Sequence, residues 1–144
     1  MNIVRAAAIQ IAPDLNSGAG TVSLMCNAIA EASKQGVQLA VFPETFVPYY
    51  PYFSFVEPPV MSGKAHLQLY KEAVVVPGPL VNQLKQVASE HNMVLCVGVN
   101  EKEGESLYNA QLIIDADGEL KLKRRKITPT YHERMVWGRG DGSG

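Results

Sequence analysis

Apolar and polar positions along this chain switch between two periods, and the switches mark out its elements. The stretch Val37-Gln38-Leu39-Ala40-Val41-Phe42 is largely apolar and rich in β-branched and aromatic residues. It predicts a buried strand of the parallel type. Pro43 has no N–H to give to a ladder and should end the strand. Glu44 is then presented just past the strand's carboxyl end, where open α/β sheets usually hold their ligands. Ile3 to Ala12 predicts an earlier strand, with small residues that let a neighbour approach closely. Residues 13–20, rich in Pro, Asn, Ser and Gly, read as a loop. Thr21 to Gln35 carries Val22, Met25, Ile29 and Ala32 at helical spacing, with Thr21 to cap it and Gly36 to end it. Strand, helix, strand is the pattern of a right-handed crossover in an α/β fold.

Thr45 to Val60 breaks both periods. Six aromatic residues and four prolines fall within its sixteen positions, too many prolines for a helix or a central strand. The segment predicts a rigid aromatic loop over a pocket; the alternative is a loop that only covers core. Helical spacing returns over Ser62 to Ala73 and over Leu80 to His91. Met93 to Val99 is another apolar strand. Leu107 to Asp115 and Glu119 to Arg125 alternate around Asp115-Ala116-Asp117-Gly118, a hairpin signal. The chain shows no internal repeat and no low-complexity tract.

Composition narrows the function classes. The 144 residues are 47% hydrophobic and 19% charged with a net charge of −1, which fits one ordinary domain rather than a disordered chain. A near-neutral balance gives no case for nucleic acid or an anionic membrane surface as partner. No run approaches the ~20 apolar residues of a membrane span. The amino end, Met1-Asn2-Ile3-Val4-Arg5, lacks a leader's apolar region. Cys26 and Cys96 lie in apolar periodic segments and read as buried thiols in a reducing compartment, so a cytoplasmic location is expected.

Two stretches carry candidate chemistry. A carboxylate at the rim of an apolar wall, as Glu44 would be, suits general acid–base work. The basic run Lys121 to Lys126 reads either as a phosphate patch or as a solvated strand end. Strand alternation puts Lys126 on the opposite face from Lys121, Lys123 and Arg125, so it need not share their role. A lysine at a pocket rim beside a carboxylate can stabilise developing negative charge. His132-Glu133 lacks the second histidine of a zinc helix, and the cysteines lack ligand spacing, so no metal is expected. The glycine-rich Gly138 to Gly144 is followed by no helix and is weak as a phosphate loop.

Together these stretches resemble the amino-terminal half of a nitrilase, in the carbon–nitrogen hydrolase superfamily. Phe42-Pro43-Glu44 is similar to the glutamate motif of that family. Residues 124–134, Arg-Arg-Lys-Ile-Thr-Pro-Thr-Tyr-His-Glu-Arg, are similar to its lysine motif, and Phe46 to Tyr52 resembles the aromatic loop of its nitrilase branch. The resemblance implies an α/β fold that forms part of a four-layer α-β-β-α sandwich, with residues 1–144 as the amino-terminal portion of a single domain. It implies Glu44 as general base, Lys126 as catalytic lysine and Glu133 as the glutamate that holds the lysine and substrate, with Tyr50 and His132 lining the substrate pocket. It implies hydrolysis of a small-molecule nitrile to a carboxylic acid and ammonia, without a cofactor, in a homo-oligomer that is a dimer or a spiral.

The nucleophile of that family is a cysteine in a Cys-Trp-Glu motif beyond the lysine. Neither Cys26 nor Cys96 is followed by Trp-Glu. A second chain or segment is therefore expected to supply it, and Gly142-Ser143-Gly144 reads as an exposed loop where a nick would be tolerated. The alternatives are an amidase of the same superfamily and an inactive interaction module that keeps the fold without the nucleophile.

Overall fold

Among the described residues five strands form one sheet, each strand lying beside the next one in the sequence. The computed structural model describes residues 3–144; Met1 and Asn2, at the head of the segment read above as lacking a leader, lie outside the described residues. The strands are β1 (Ala6–Ala8), β2 (Leu39–Val41), β3 (Val94–Glu103), β4 (Ser106–Ile114) and β5 (Leu120–Arg125). The first three pair in parallel and the last two antiparallel. The helices are α1 (Gly18–Lys34), α2 (Phe53–Val56), α3 (Gly63–Glu72) and α4 (Pro79–Glu90), and a 3₁₀ turn covers Tyr131–Met135.

Helices α1 and α4 cover one face of the sheet. Val22, Met25 and Ile29 of α1 and Val81, Leu84 and Val87 of α4 pack on Ala40, Leu95, Val97, Val99, Leu112 and Ile114 in one core. The chain thus supplies one helix layer and one sheet layer. On the opposite sheet face, Val41, Cys96, Ile113 and Leu122 form a row across four strands, each half-buried or exposed.

Several sequence boundaries shift, each for a local reason. The strand expected over Ile3 to Ala12 is only Ala6–Ala8. It is an edge strand, and its ladder is as long as its one partner, β2, allows. Helix α1 starts three residues earlier than expected, at Gly18, because Ser17 is the cap and accepts from the Gly20 N–H. Thr21 is buried inside the helix, where its hydroxyl donates to the Pro48 carbonyl at 2.9 Å. Gly36 does follow the helix in a left-handed conformation, φ 73°. The aromatic loop contains a helical turn, α2. Strand β3 runs past Val99 to Glu103, through Asn100 and Glu101, which are polar yet buried.

The cysteines differ from expectation. Both are half-buried rather than buried. Cys96 lies in the row on the sheet face that the helices leave open, and its sulfur accepts from the Gln111 amide at 3.3 Å. Burial pushes both thiols above their ordinary pKa. The basic run divides: Lys121 and Arg124 are exposed, as a solvated strand end would have them, while two others are tied to a buried acid. Lys123 and Arg125 converge on Glu101, which is 1% exposed, with Arg125 bonds of 2.7 and 2.8 Å. Burial alone would push the Glu101 carboxyl up; the two cations outweigh it and hold the group below its ordinary value.

Candidate active site

The backbone puts Glu44 where it is by breaking a ladder. The Phe42 N–H donates to the Cys96 carbonyl. In a regular parallel strand the next such bond would fall two residues on, at Glu44. It falls instead at Val47, whose N–H donates to the Gly98 carbonyl at 3.2 Å. The chain therefore bulges out between Pro43 and Phe46 and then rejoins the β2 line, a device that re-aims a side chain. Pairing does stop at Pro43, as expected, but it resumes. Gly98 makes the bulge possible: a Cβ there would collide with the Pro43 carbonyl oxygen and the Thr45 nitrogen and lie 2.8 Å from the Glu44 Cα. Thr45 is held at φ 44° with its hydroxyl buried and unpartnered, a costly conformation for a β-branched residue.

Two asparagines hold this bulge to the sheet. Asn100 on β3 is fully buried, and its amide donates to the carbonyls of Thr45, Val47 and Tyr49 at 3.3, 3.3 and 2.9 Å. Its own carbonyl accepts from the Trp137 indole at 2.8 Å. Asn109, opposite it on β4, donates to Glu44 Oε1 at 2.6 Å.

Lys126 reaches the same place from the end of β5. Its backbone N–H donates to the Asn109 carbonyl at 2.8 Å, which continues the ladder by one residue. Its ammonium donates to Glu44 Oε1 at 3.0 Å and to Glu133 at 2.8 and 3.0 Å. Glu133 is 5% exposed. It stands third in the 3₁₀ turn that Thr130 caps, and its carboxylate accepts from the Thr130 N–H as well as from Lys126. The Thr130-x-x-Glu133 spacing is a capping box, so helix start and site are built from the same carboxylate. Burial would raise the Glu133 pKa, but Lys126, Thr130 and Tyr50 together hold it below the ordinary range. Burial would lower that of Lys126, but the two carboxylates raise it above the ordinary lysine value. The amine is therefore a fixed cation.

Tyr50 adds a second connection. Its hydroxyl donates to Glu133 Oε1 at 3.0 Å, and burial followed by that carboxylate pushes its pKa well up. Glu44 lines several hollows, and two of them bear on the site. One, of about 320 Å³, is lined by Glu44, Gly98, Asn109, Gln111, Arg124 and Lys126. The other, of about 600 Å³, has Pro43, Glu44, Tyr50, Tyr52 and Phe55 on its walls. His132 lies apart from the ion pairs. It packs against Phe55, with ring centroids 5.3 Å apart, and lines a separate hollow with Tyr131 and Met135.

Four of the five residues singled out from sequence thus converge: Glu44, Lys126, Glu133 and Tyr50. Gly98, Asn100 and Asn109 were missed, because inside apolar strands they read as interruptions of a core pattern. Neither cysteine lines the hollows at Glu44. Among the described residues no group of three or more His, Cys, Asp or Glu side chains is placed to hold a metal, and no helix is long and apolar enough to cross a membrane. Chemically, the arrangement offers a carboxylate with one oxygen unoccupied, beside a cation locked by a second, buried carboxylate. It suits proton transfer next to a developing negative charge.

A sheet covered by helices on one face, with an acid and an amine meeting beyond its strand ends, defines an α/β fold with a charged site on its open side. Residues 5–143 match the carbon-nitrogen hydrolase family, and the chain belongs to that family. It is 61% identical over 142 residues to a nitrilase of Paraburkholderia phymatum, covering 99% of this chain and 42% of that protein. It is 41% identical to an aliphatic nitrilase of Rhodococcus rhodochrous, covering 99% and 39%. The fold matches a carbon-nitrogen hydrolase from Helicobacter pylori G27 with a TM-score of 0.70 at 20% identity, over 96% of this chain and 46% of that one. It also matches a mutant amidase of the nitrilase superfamily from Nesterenkonia AN1, with a TM-score of 0.69 at 20% identity, over 96% and 48%. The chain spans less than half the length of the relatives it matches.

Proposed function

We propose that this chain carries the Glu44–Lys126–Glu133 part of a nitrilase active site, completed by a cysteine from a further segment or second chain. The observation that carries the reading is the Lys126 ammonium held between Glu44 and Glu133. Nitriles are favoured over amides as substrate by the nitrilase relatives at 61, 52 and 41% identity. The amidase neighbours are far more distant and share the fold alone.

In the proposed reaction Glu44 takes the thiol proton as sulfur bonds to the nitrile carbon. Lys126 steadies the charge that builds on nitrogen, and Glu44 passes the thiol proton on to that nitrogen, which gives a thioimidate and leaves Glu44 ionised again. Glu44 then deprotonates a water that adds to the same carbon, and ammonia leaves. A second water cleaves the remaining thioester to the carboxylic acid and frees the thiol. Glu133 holds Lys126 in place, and Tyr50 steadies Glu133 while forming one wall of the larger hollow. His132 lies behind Phe55, so it would shape that wall indirectly. The reaction needs no cofactor.

Residues 1–144 would form the amino-terminal portion of one domain, in a cytoplasmic protein. The half-exposed row Val41, Cys96, Ile113 and Leu122 supports further protein lying over that sheet face, and a homo-oligomer, as a dimer or spiral, is part of the reading. The test is this chain combined with its cysteine-bearing segment, given a nitrile and the matching amide in parallel. Faster release of acid and ammonia from the nitrile is expected. A preference for the amide would replace nitrilase by amidase, and no turnover of either would favour an inactive interaction module.

A further inference from the structure

The two oxygens of Glu44 are not equivalent. Oε1 accepts from both the Asn109 amide, at 2.6 Å, and the Lys126 ammonium, at 3.0 Å. Among the described residues Oε2 accepts no hydrogen bond. We infer that Asn109 is a positioning residue for the general base: it and Lys126 occupy Oε1, and so fix Oε2 as the atom that takes the proton. The inference rests on the proposed role of Glu44 and adds to it a residue and a division of labour.

Three observations carry it. Asn109 is buried, 7% exposed, so its amide is not free to exchange Glu44 for water. Its orientation is dictated by chemistry: the carbonyl end would oppose a carboxylate oxygen, acceptor against acceptor, so the donor end must face Glu44. Its backbone carbonyl also accepts the Lys126 N–H at 2.8 Å, so one residue sets both the lysine's register and the carboxylate's orientation. The bulge that carries Glu44 leaves its side chain without a ladder neighbour of its own, and the Asn109 amide supplies that constraint. A loose carboxylate would present either oxygen in turn, and misplacement by about 1 Å can cost roughly 10²-fold in rate.

The charged and titratable groups around Glu44 are Lys126 after β5, Glu133 and Tyr50 behind that lysine, Arg124 on the wall of the smaller hollow, and Tyr49 and Tyr52 of the aromatic loop, which share hollows with it. All stay in place in the variants that test the inference. In the chain combined with its nucleophile-bearing segment, Asn109→Leu is expected to lower kcat by about 10- to 100-fold with KM little changed. Asn109→Asp sets a second carboxylate against Oε1; two such groups share a proton, so the acid limb of the kcat/KM profile should move up by about one pH unit or more. A residue that only props up the strand would alter stability and leave that limb where it was. The side-chain amide signal of Asn109 in an NMR spectrum of the chain combined with its nucleophile-bearing segment is a second readout, expected to move on Glu44→Gln substitution. Near-normal kcat in Asn109→Leu with an unmoved limb in Asn109→Asp, or an amide signal indifferent to Glu44→Gln, would overturn the inference. Retained turnover in Glu44→Gln would instead sink the proposed role of Glu44.

Discussion

Gly98→Ala isolates the device that aims Glu44, the proposed general base. The added methyl points to the open sheet face, into the Pro43–Phe46 bulge. It would collide with the Pro43 carbonyl and the Thr45 nitrogen and stand 2.8 Å from the Glu44 Cα. These are backbone atoms, so no rotamer change relieves the contact. Reaching an ordinary separation of ~3.5–4.0 Å requires the bulge to retreat by about 1 Å. Overpacking of this kind costs about 1–3 kcal/mol of stability. The displacement also pulls Glu44 from Asn109 and Lys126, and a shift of that size is worth roughly 10²-fold in rate, or about 2.7 kcal/mol of barrier. The assay pairs denaturant unfolding of the chain with kcat for the chain joined to its nucleophile-bearing segment. The expected result is a folded variant with a modestly lower midpoint and a rate some two orders lower. A Gly98→Ala protein with unchanged kcat would show that the bulge does not set the carboxylate's position.

Two further outcomes follow from buried polar groups. Asn100→Leu strands the Thr45 and Tyr49 carbonyls and the Trp137 indole N–H, while the Val47 carbonyl keeps the backbone N–H of residue 100; at about 1–3 kcal/mol per unsatisfied buried group, the unfolding midpoint should fall by the equivalent of roughly 3 kcal/mol or more, and a loss below ~1 kcal/mol would mean the aromatic loop is not held there. Glu101 and Glu133 are both held below their ordinary value of 4.5, so the unfolded chain binds their protons more readily. The stability they confer is complete above pH 4.5 and is lost as pH falls through their lower folded values. Unfolding midpoints measured down to pH 3 should drop steeply below 4.5, and less steeply in Glu101→Gln; equal slopes would contradict the assignment.

How far the sequence could be read depends on which interactions are local. Strand β2 and its end at Pro43 were legible because periodicity and a missing N–H act within a few residues. The separation of Lys126 from Lys121, Lys123 and Arg125 followed from strand alternation, and the structure bears it out: Lys126 meets Glu44 while Lys123 and Arg125 meet Glu101. The convergence of Glu44, Lys126 and Glu133 came through resemblance, since residues 82 apart carry no mark of their meeting. The misses share a cause. Asn100 and Glu101 sit in an apolar strand, and only their distant partners explain why burial is tolerated. The bulge after Phe42 has its reason in Gly98, on another strand. Ser17 was passed over as cap because the glycines around it resemble a loop. His132 shares a motif with Glu133 but turns toward Phe55, because the 3₁₀ turn carries adjacent side chains to different sides.

The proposed reading is that Glu44, on the bulge after β2, and Lys126, at the end of β5, meet across the two strands between them and act on one bond with a sulfur from elsewhere in the protein. Ammonia release from a nitrile, measured on the chain joined to its cysteine-bearing segment, tests it most directly when Glu44→Gln is set beside the unaltered protein. Removing a general base is expected to cost about 10²- to 10⁴-fold with the fold intact. A Glu44→Gln protein that releases ammonia at the unaltered rate would contradict the account.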